Sequence, residues 1–182
     1  MTDVPKVYEK VEIKHKVIIA LGVLFKKDSF LLKKDVNERS ISHKLAEYLQ
    51  EQFPDYDVDC EYNWQTDDYE ERTHRKQVVF AKEEEALFYP KTDKDKIRDN
   101  NAHTVYPDII VHKRGHNGNN LLIMEIKKSS NGDEKAKEKD KLKLRKYKEK
   151  FNYTYTLFLS VPTGEDFNSE SVGIELDDED AD

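Results

Sequence analysis

The stretch YPDIIVHKRGHNGNNLLIMEIKK, residues 106–128, decides how this chain folds. Two apolar runs, Tyr106 to His112 and Leu121 to Lys127, flank a link filled with Gly, Asn and charged residues. Gly and Asn tolerate the backbone conformations that a tight reversal needs, so the spacing predicts two strands joined as a hairpin. Successive side chains of a strand point to opposite faces, which puts Glu125 and Lys127 on one side. With the strands paired antiparallel around residues 115–119, Asp108 falls near them. Two carboxylates and one ammonium group then converge on one spot.

Working outward, a helix is expected to start after Asn37, a good N-cap, with Ile41, Leu45, Tyr48, Leu49 and Gln52 at helical spacing. It stops near Phe53, because Pro54 disfavours helical geometry in the residue before it. Tyr56 to Tyr62 alternates, with Tyr56, Val58, Cys60 and Tyr62 on one face and Asp57, Asp59 and Glu61 on the other, the pattern of a half-buried strand. Val17 to Phe25 is apolar and is either a buried helix or a buried strand. Residues 63–106 are long and polar; Gln77 to Ala81 suits a strand and Lys82 to Leu87 a helix. Asp133 to Lys150 is a charged helix with a narrow apolar stripe of Ala136, Asp140, Leu144, Tyr147 and Phe151. Tyr153 to Val161, rich in aromatic and branched residues, is the last strand. The order is helix, strand, strand, strand, helix, strand.

Carboxylate oxygens are the donors Mg²⁺ accepts, one or two per ion, with water and phosphate oxygens completing the shell. Such an ion acidifies a bound water and shields phosphate charge. A lysine beside it can orient or deprotonate that water and stabilise the charge that develops. Asp108, Glu125 and Lys127 therefore have the parts for metal-assisted phosphodiester hydrolysis. The plain alternatives are a turn acid after proline for Asp108 and a cross-strand ion pair for Glu125 and Lys127. Such a pair is costly in the apolar setting of Leu121 to Ile126.

Pro107-Asp108 followed by Glu125-Ile126-Lys127 at the end of an apolar strand resembles the signature of the PD-(D/E)XK nuclease superfamily. The resemblance spans about residues 37–161 and implies an α/β fold: a restriction-endonuclease-like αβββαβ core whose mixed central sheet is flanked by helices. It further implies that Glu38, on the first core helix, joins Asp108 and Glu125 at the metal, and that the Ile126 carbonyl is a ligand. The implied cofactor is Mg²⁺, with Mn²⁺ as a substitute. Glu38 also lies three residues before Ile41, on the helix face that packs on the sheet, where an acid is expensive unless paired. The second helix lacks the glutamine some branches carry, and Lys141 or Lys143 is the candidate in its place. Lys128, Lys141, Lys143 and His112, which shares the face of Asp108, are the candidate nucleic-acid contacts. For His112 packing is the plain alternative.

Composition bears on partners. The 182 residues carry a formal charge of −7, which taken alone speaks against a phosphate-rich partner. The charge is uneven. Residues 165–182 hold nine acids and no base, leaving +2 for the rest, and Lys127 to Lys150 alone carries +6. Glu165 to Asp182 is thus expected to be a disordered acidic tail, although Ile174 and Leu176 leave room for a short docked strand. The expected organisation is one nuclease-like domain over 1–164, with an extension over 1–35, a core over 36–162, and the tail. Cys60 is the sole cysteine, which excludes an intrachain disulfide. With no signal-like start and no apolar run of membrane length, a cytoplasmic protein is expected. The expectation for function is a Mg²⁺-dependent nuclease, with DNA favoured over RNA and a homodimer if both strands of a duplex are cut. The rivals are a non-catalytic nucleic-acid-binding protein that keeps the fold and an interaction module built on the acidic tail.

Overall fold

The computed structural model describes residues 6–66, 73–75, 77–79, 102–104, 106–115, 118–130 and 133–177. Helix α1, Lys10–Lys27, buries Ile13, Val17, Ala20, Leu21 and Leu24, a three-and-four spacing that resolves the Val17 to Phe25 run as helix. Short α2, Ser29–Lys33, leads to α3, Glu38–Gln52. Asn37 caps α3 by accepting a hydrogen bond from the Ser40 amide at 2.8 Å. The helix buries Ile41, Leu45, Tyr48 and Leu49 and ends at Phe53, before Pro54.

Strand β1, Asp57–Cys60, follows, then the paired strands β2, Trp64–Thr66, and β3, Thr73–Arg75. A second antiparallel pair joins β4, Gln77–Val79, with β5, Ala102–Thr104. The expected strand from Gln77 is therefore present. The expected helix at Lys82 to Leu87 lies outside the described residues. The decisive hairpin is β6, Ile109–His112, against β7, Asn120–Lys128, with Ile109 opposite Met124 and a bulge between Val111 and His112. Helix α4, Glu134–Phe151, crosses over to β8, Tyr155–Val161, which runs parallel to β7. Strand β9, Gly173–Asp177, is the last element among the described residues.

The result is an α/β fold with a mixed five-stranded sheet ordered β1-β6-β7-β8-β9. Strand β7 is central and buried on both faces, which is why its sequence is a continuous apolar run rather than an alternating one. One face, with Ile109, Val111, Leu122, Met124, Ile126, Leu157 and Leu159, packs on α1 and α3. The other, with Ile110, Ile123 and Phe158, packs on Leu142, Leu144, Tyr147 and Phe151 of α4. Among the described residues no helix is long and apolar enough to cross a membrane.

Two expectations need correction. The acidic segment is not tail throughout: the short docked strand for which Ile174 and Leu176 left room is present, Gly173–Asp177 pairing antiparallel with β8, Ile174 opposite Leu159 and Leu176 opposite Leu157. Alternating apolar residues give that segment one face to pack on the core, and the acids between them project away. Tyr62 also leaves the alternation of β1. Glu61 adopts φ 49°, turning the chain so that Tyr62 packs on the α4 side, its ring 4.8 Å from that of His112.

Candidate functional site

The acids and lysines of the hairpin meet at the end of β7. Asp108 stands just before β6, held there because the Glu61 amide donates to the Pro107 carbonyl at 3.1 Å. Its Oδ2 accepts a hydrogen bond from the Ile126 amide at 2.7 Å. Glu125 points to the α4 side of the sheet and is 2 % exposed. Lys127, two residues on, shares that side, as period-two alternation demands. Its Nζ lies 3.3 Å from Glu38 Oε2 and 3.1 Å from Asp140 Oδ2. Glu38 reaches the sheet from the first turn of α3, where its other oxygen accepts from the Lys128 amide at 3.3 Å.

Helix α4 adds two groups. Lys143 Nζ lies 2.8 Å from Glu125 Oε2 and 3.2 Å from Asp140 Oδ1. Asp140 is 4 % exposed and bridges Lys127 and Lys143. The sequence reading put Asp140 in the apolar stripe without a role. The signal was there: an aspartate at a core-facing helical position needs a partner. The Lys143 expected at phosphate is thus already inside the carboxylate cluster.

The remaining candidates are dispersed. Lys128 Nζ turns to Asp35, 3.1 Å from its carboxylate. Lys141 pairs with Glu175 of β9 at 2.6 Å and lies over the Phe158 ring. His112 is 3 % exposed, and its Nε2 lies 2.9 Å from Asp59 Oδ2, at the hairpin's far end. Its packing reading is the one this geometry favours.

Burial pushes the Asp108 carboxyl upward, opposed by the Ile126 amide and by Lys143 and Lys127. Burial likewise drives Glu125 well above the usual carboxylate range, against the pull of Lys143. For Lys127 burial favours the neutral amine, but Asp140 and Glu38 outweigh it and hold the ammonium form. Lys143 follows the same balance, with Glu125 and Asp140 winning over burial.

Among the described residues, no three His, Cys, Asp or Glu side chains are grouped as a ready metal cage. The ammonium groups stand between the acids instead. The donor chemistry nonetheless fits Mg²⁺, which binds through one or two carboxylates and keeps its waters rather than requiring an all-protein cage. Among the described residues, the acids Glu38, Asp108, Glu125 and Asp140 gather about the two ammonium groups of Lys127 and Lys143.

No family model matches the chain, and neither a curated protein nor a solved structure matches it.

Proposed function

We propose that this chain is a metal-dependent nuclease of the PD-(D/E)XK, restriction-endonuclease-like kind, hydrolysing phosphodiester bonds, with DNA favoured over RNA. The observation that carries this reading is the convergence of Asp108, Glu125 and Lys127 at the end of a central hairpin, Asp108 bonded to the amide between the other two. The chain order α3, β1, β6, β7, α4, β8 around one mixed sheet supports the kinship.

Asp108, Glu125 and the Ile126 carbonyl would hold Mg²⁺, with Glu38 beside them; the ion supplies an acidified water and a positive charge against the phosphate. Lys127, held as an ammonium by Asp140 and Glu38, serves as a hydrogen-bond donor that orients the attacking water and the phosphate oxygens, not as a neutral base. Cys60 is no rival nucleophile, since burial pushes its thiol up to about 11. One site per chain cuts one strand at a time, so concerted cleavage of both strands of a duplex favours a homodimer.

The test is cleavage of a plasmid and of labelled DNA and RNA oligonucleotides with Mg²⁺. Asp108→Ala and Lys127→Ala are each expected to lower the rate by about 100-fold or more, the size of effect seen when one charge-stabilising group is removed. Cleavage that survives both substitutions overturns the reading. Binding of DNA without cleavage, in the intact protein with Mg²⁺ or Mn²⁺, favours a non-catalytic binding protein instead.

A further inference from the structure

The position of Lys143 raises a question that phosphate contact does not answer. Its ammonium is 2.8 Å from Glu125 Oε2, so the carboxylate best placed to receive a divalent ion is already engaged by a cation of the chain itself. A second acid, Asp140, sits one turn earlier on the same helix and touches the same ammonium at 3.2 Å. The other oxygen of Asp140 faces Lys127, whose ammonium lies 3.1 Å away. Leu142, Leu144 and Tyr147 are buried on either side, which fixes the helix and limits where the lysine can go.

Two physical requirements meet here. Buried carboxylates without a counter-charge are strongly unfavourable, so the ion-free protein needs positive charge at Glu125 and Asp140. A ligand that must bind the same oxygen has to displace that charge, and its apparent affinity falls accordingly. Resting on the metal-site reading above, we propose that Lys143 is a built-in counter-cation that competes with the divalent ion for Glu125. It keeps the ion-free fold neutralised and lowers the affinity of the site for the ion. Asp140 is the tether: when Glu125 is taken over, the ammonium stays paired at Asp140, beside the site and available to a phosphate oxygen.

The prediction reverses the usual outcome of altering an active-site residue. Lys143→Met keeps the length and the apolar stem while removing the charge. Calorimetric titration with Mn²⁺ is expected to give binding about tenfold tighter than in the intact protein, since a like charge at hydrogen-bond distance from the ligand oxygen has gone. In EDTA the same variant melts below the intact protein, and added Mn²⁺ raises its melting temperature by more than it raises that of the intact protein. Lys143→Arg keeps the charge and is expected to keep the original affinity. Lys143→Gln, which can still donate to Glu125, is the second neutral variant should Lys143→Met not fold. Circular dichroism verifies folding in each case.

Mn²⁺ binding to the intact protein with equal or weaker binding to the folded neutral variants overturns this inference alone. Absence of Mn²⁺ binding in the intact protein and in every variant overturns it together with the metal-site reading. Tighter binding that appears equally in Lys143→Arg also counts against it, because the effect then does not follow charge.

Discussion

Asp59 and His112 show what a single buried polar contact contributes away from the site. His112 Nε2 lies 2.9 Å from Asp59 Oδ2, Arg114 Nε donates to the same oxygen at 2.8 Å, and a second guanidinium nitrogen reaches the other oxygen. Burial raises the Asp59 carboxyl, but His112 and Arg114 outweigh it and hold the group far below the usual carboxylate range. A folded-state value below the unfolded one stabilises the protein above the unfolded value, about 3.9, and that stabilisation is lost as the pH falls further. Asp59→Asn is therefore expected to cost about 1.5–3 kcal/mol at pH 7, the range for hydrogen bonds to charged groups. The deficit should shrink in thermal melts taken from pH 5 down to pH 3. A deficit that stays constant over that range shows the effect is not electrostatic. His112 was legible in the sequence as a residue on the Asp108 face, yet its partner was not. Asp59 belongs to another strand, and only the antiparallel pairing, with Asp59 opposite Ile110, sets the two acids of β1 beside the hairpin end.

Among the elements, α3 carries most of the link between local sequence and site geometry. Its cap, start and stop were all readable from Asn37, the apolar spacing and Pro54, because these are local effects. Glu38, in its first turn, is the only one of the four acids delivered from this side of the sheet, and the capped start fixes its position. Asn37→Ala is expected to destabilise the fold by about 1 kcal/mol, the usual cost of losing a side-chain cap. It should also slow cleavage several-fold while leaving Asp108 and Glu125 in place. Urea denaturation and single-turnover kinetics measure the two effects. Unchanged kinetics in a destabilised variant would separate Glu38 from the reaction. Helix α4 was legible as a helix and Lys143 as a candidate on it, but neither Asp140 nor the pairing of Lys143 with Glu125 was legible. Asp140 and Lys143 acquire partners only because the crossover from β7 to β8 lays their turn against the Glu125 face. β9 was the least legible element: its five residues carry two acids, and charge there argues for a solvated segment unless a neighbouring edge is free to pair.

For the whole molecule, the charge of −7 conceals a division between a basic helix and an acidic C-terminal strand, linked by an ion pair. Lys141 of α4 meets Glu175 of β9 at 2.6 Å, with both side chains well exposed. An exposed pair of this kind is worth at most about 1 kcal/mol, so Glu175→Gln should tighten nucleic-acid binding by no more than about fivefold. The gain should fade as salt is raised, since the competition is screened. Fluorescence anisotropy across a salt series tests it; a gain that persists at high salt points to a change of shape instead. Taken by itself, the amino-acid sequence determined the hairpin, the helices on either side and the meeting of Asp108 with the Glu125 end of β7. Each depends on periodicity, turn residues and caps, which act over a few neighbours. Only the tertiary structure decided that Asp140 and Lys143 complete the charge cluster, that Asp59 pairs with His112, and that β9 closes the sheet. Those contacts join residues far apart in the chain, and their energies exist only once packing has excluded water and brought the charges within reach.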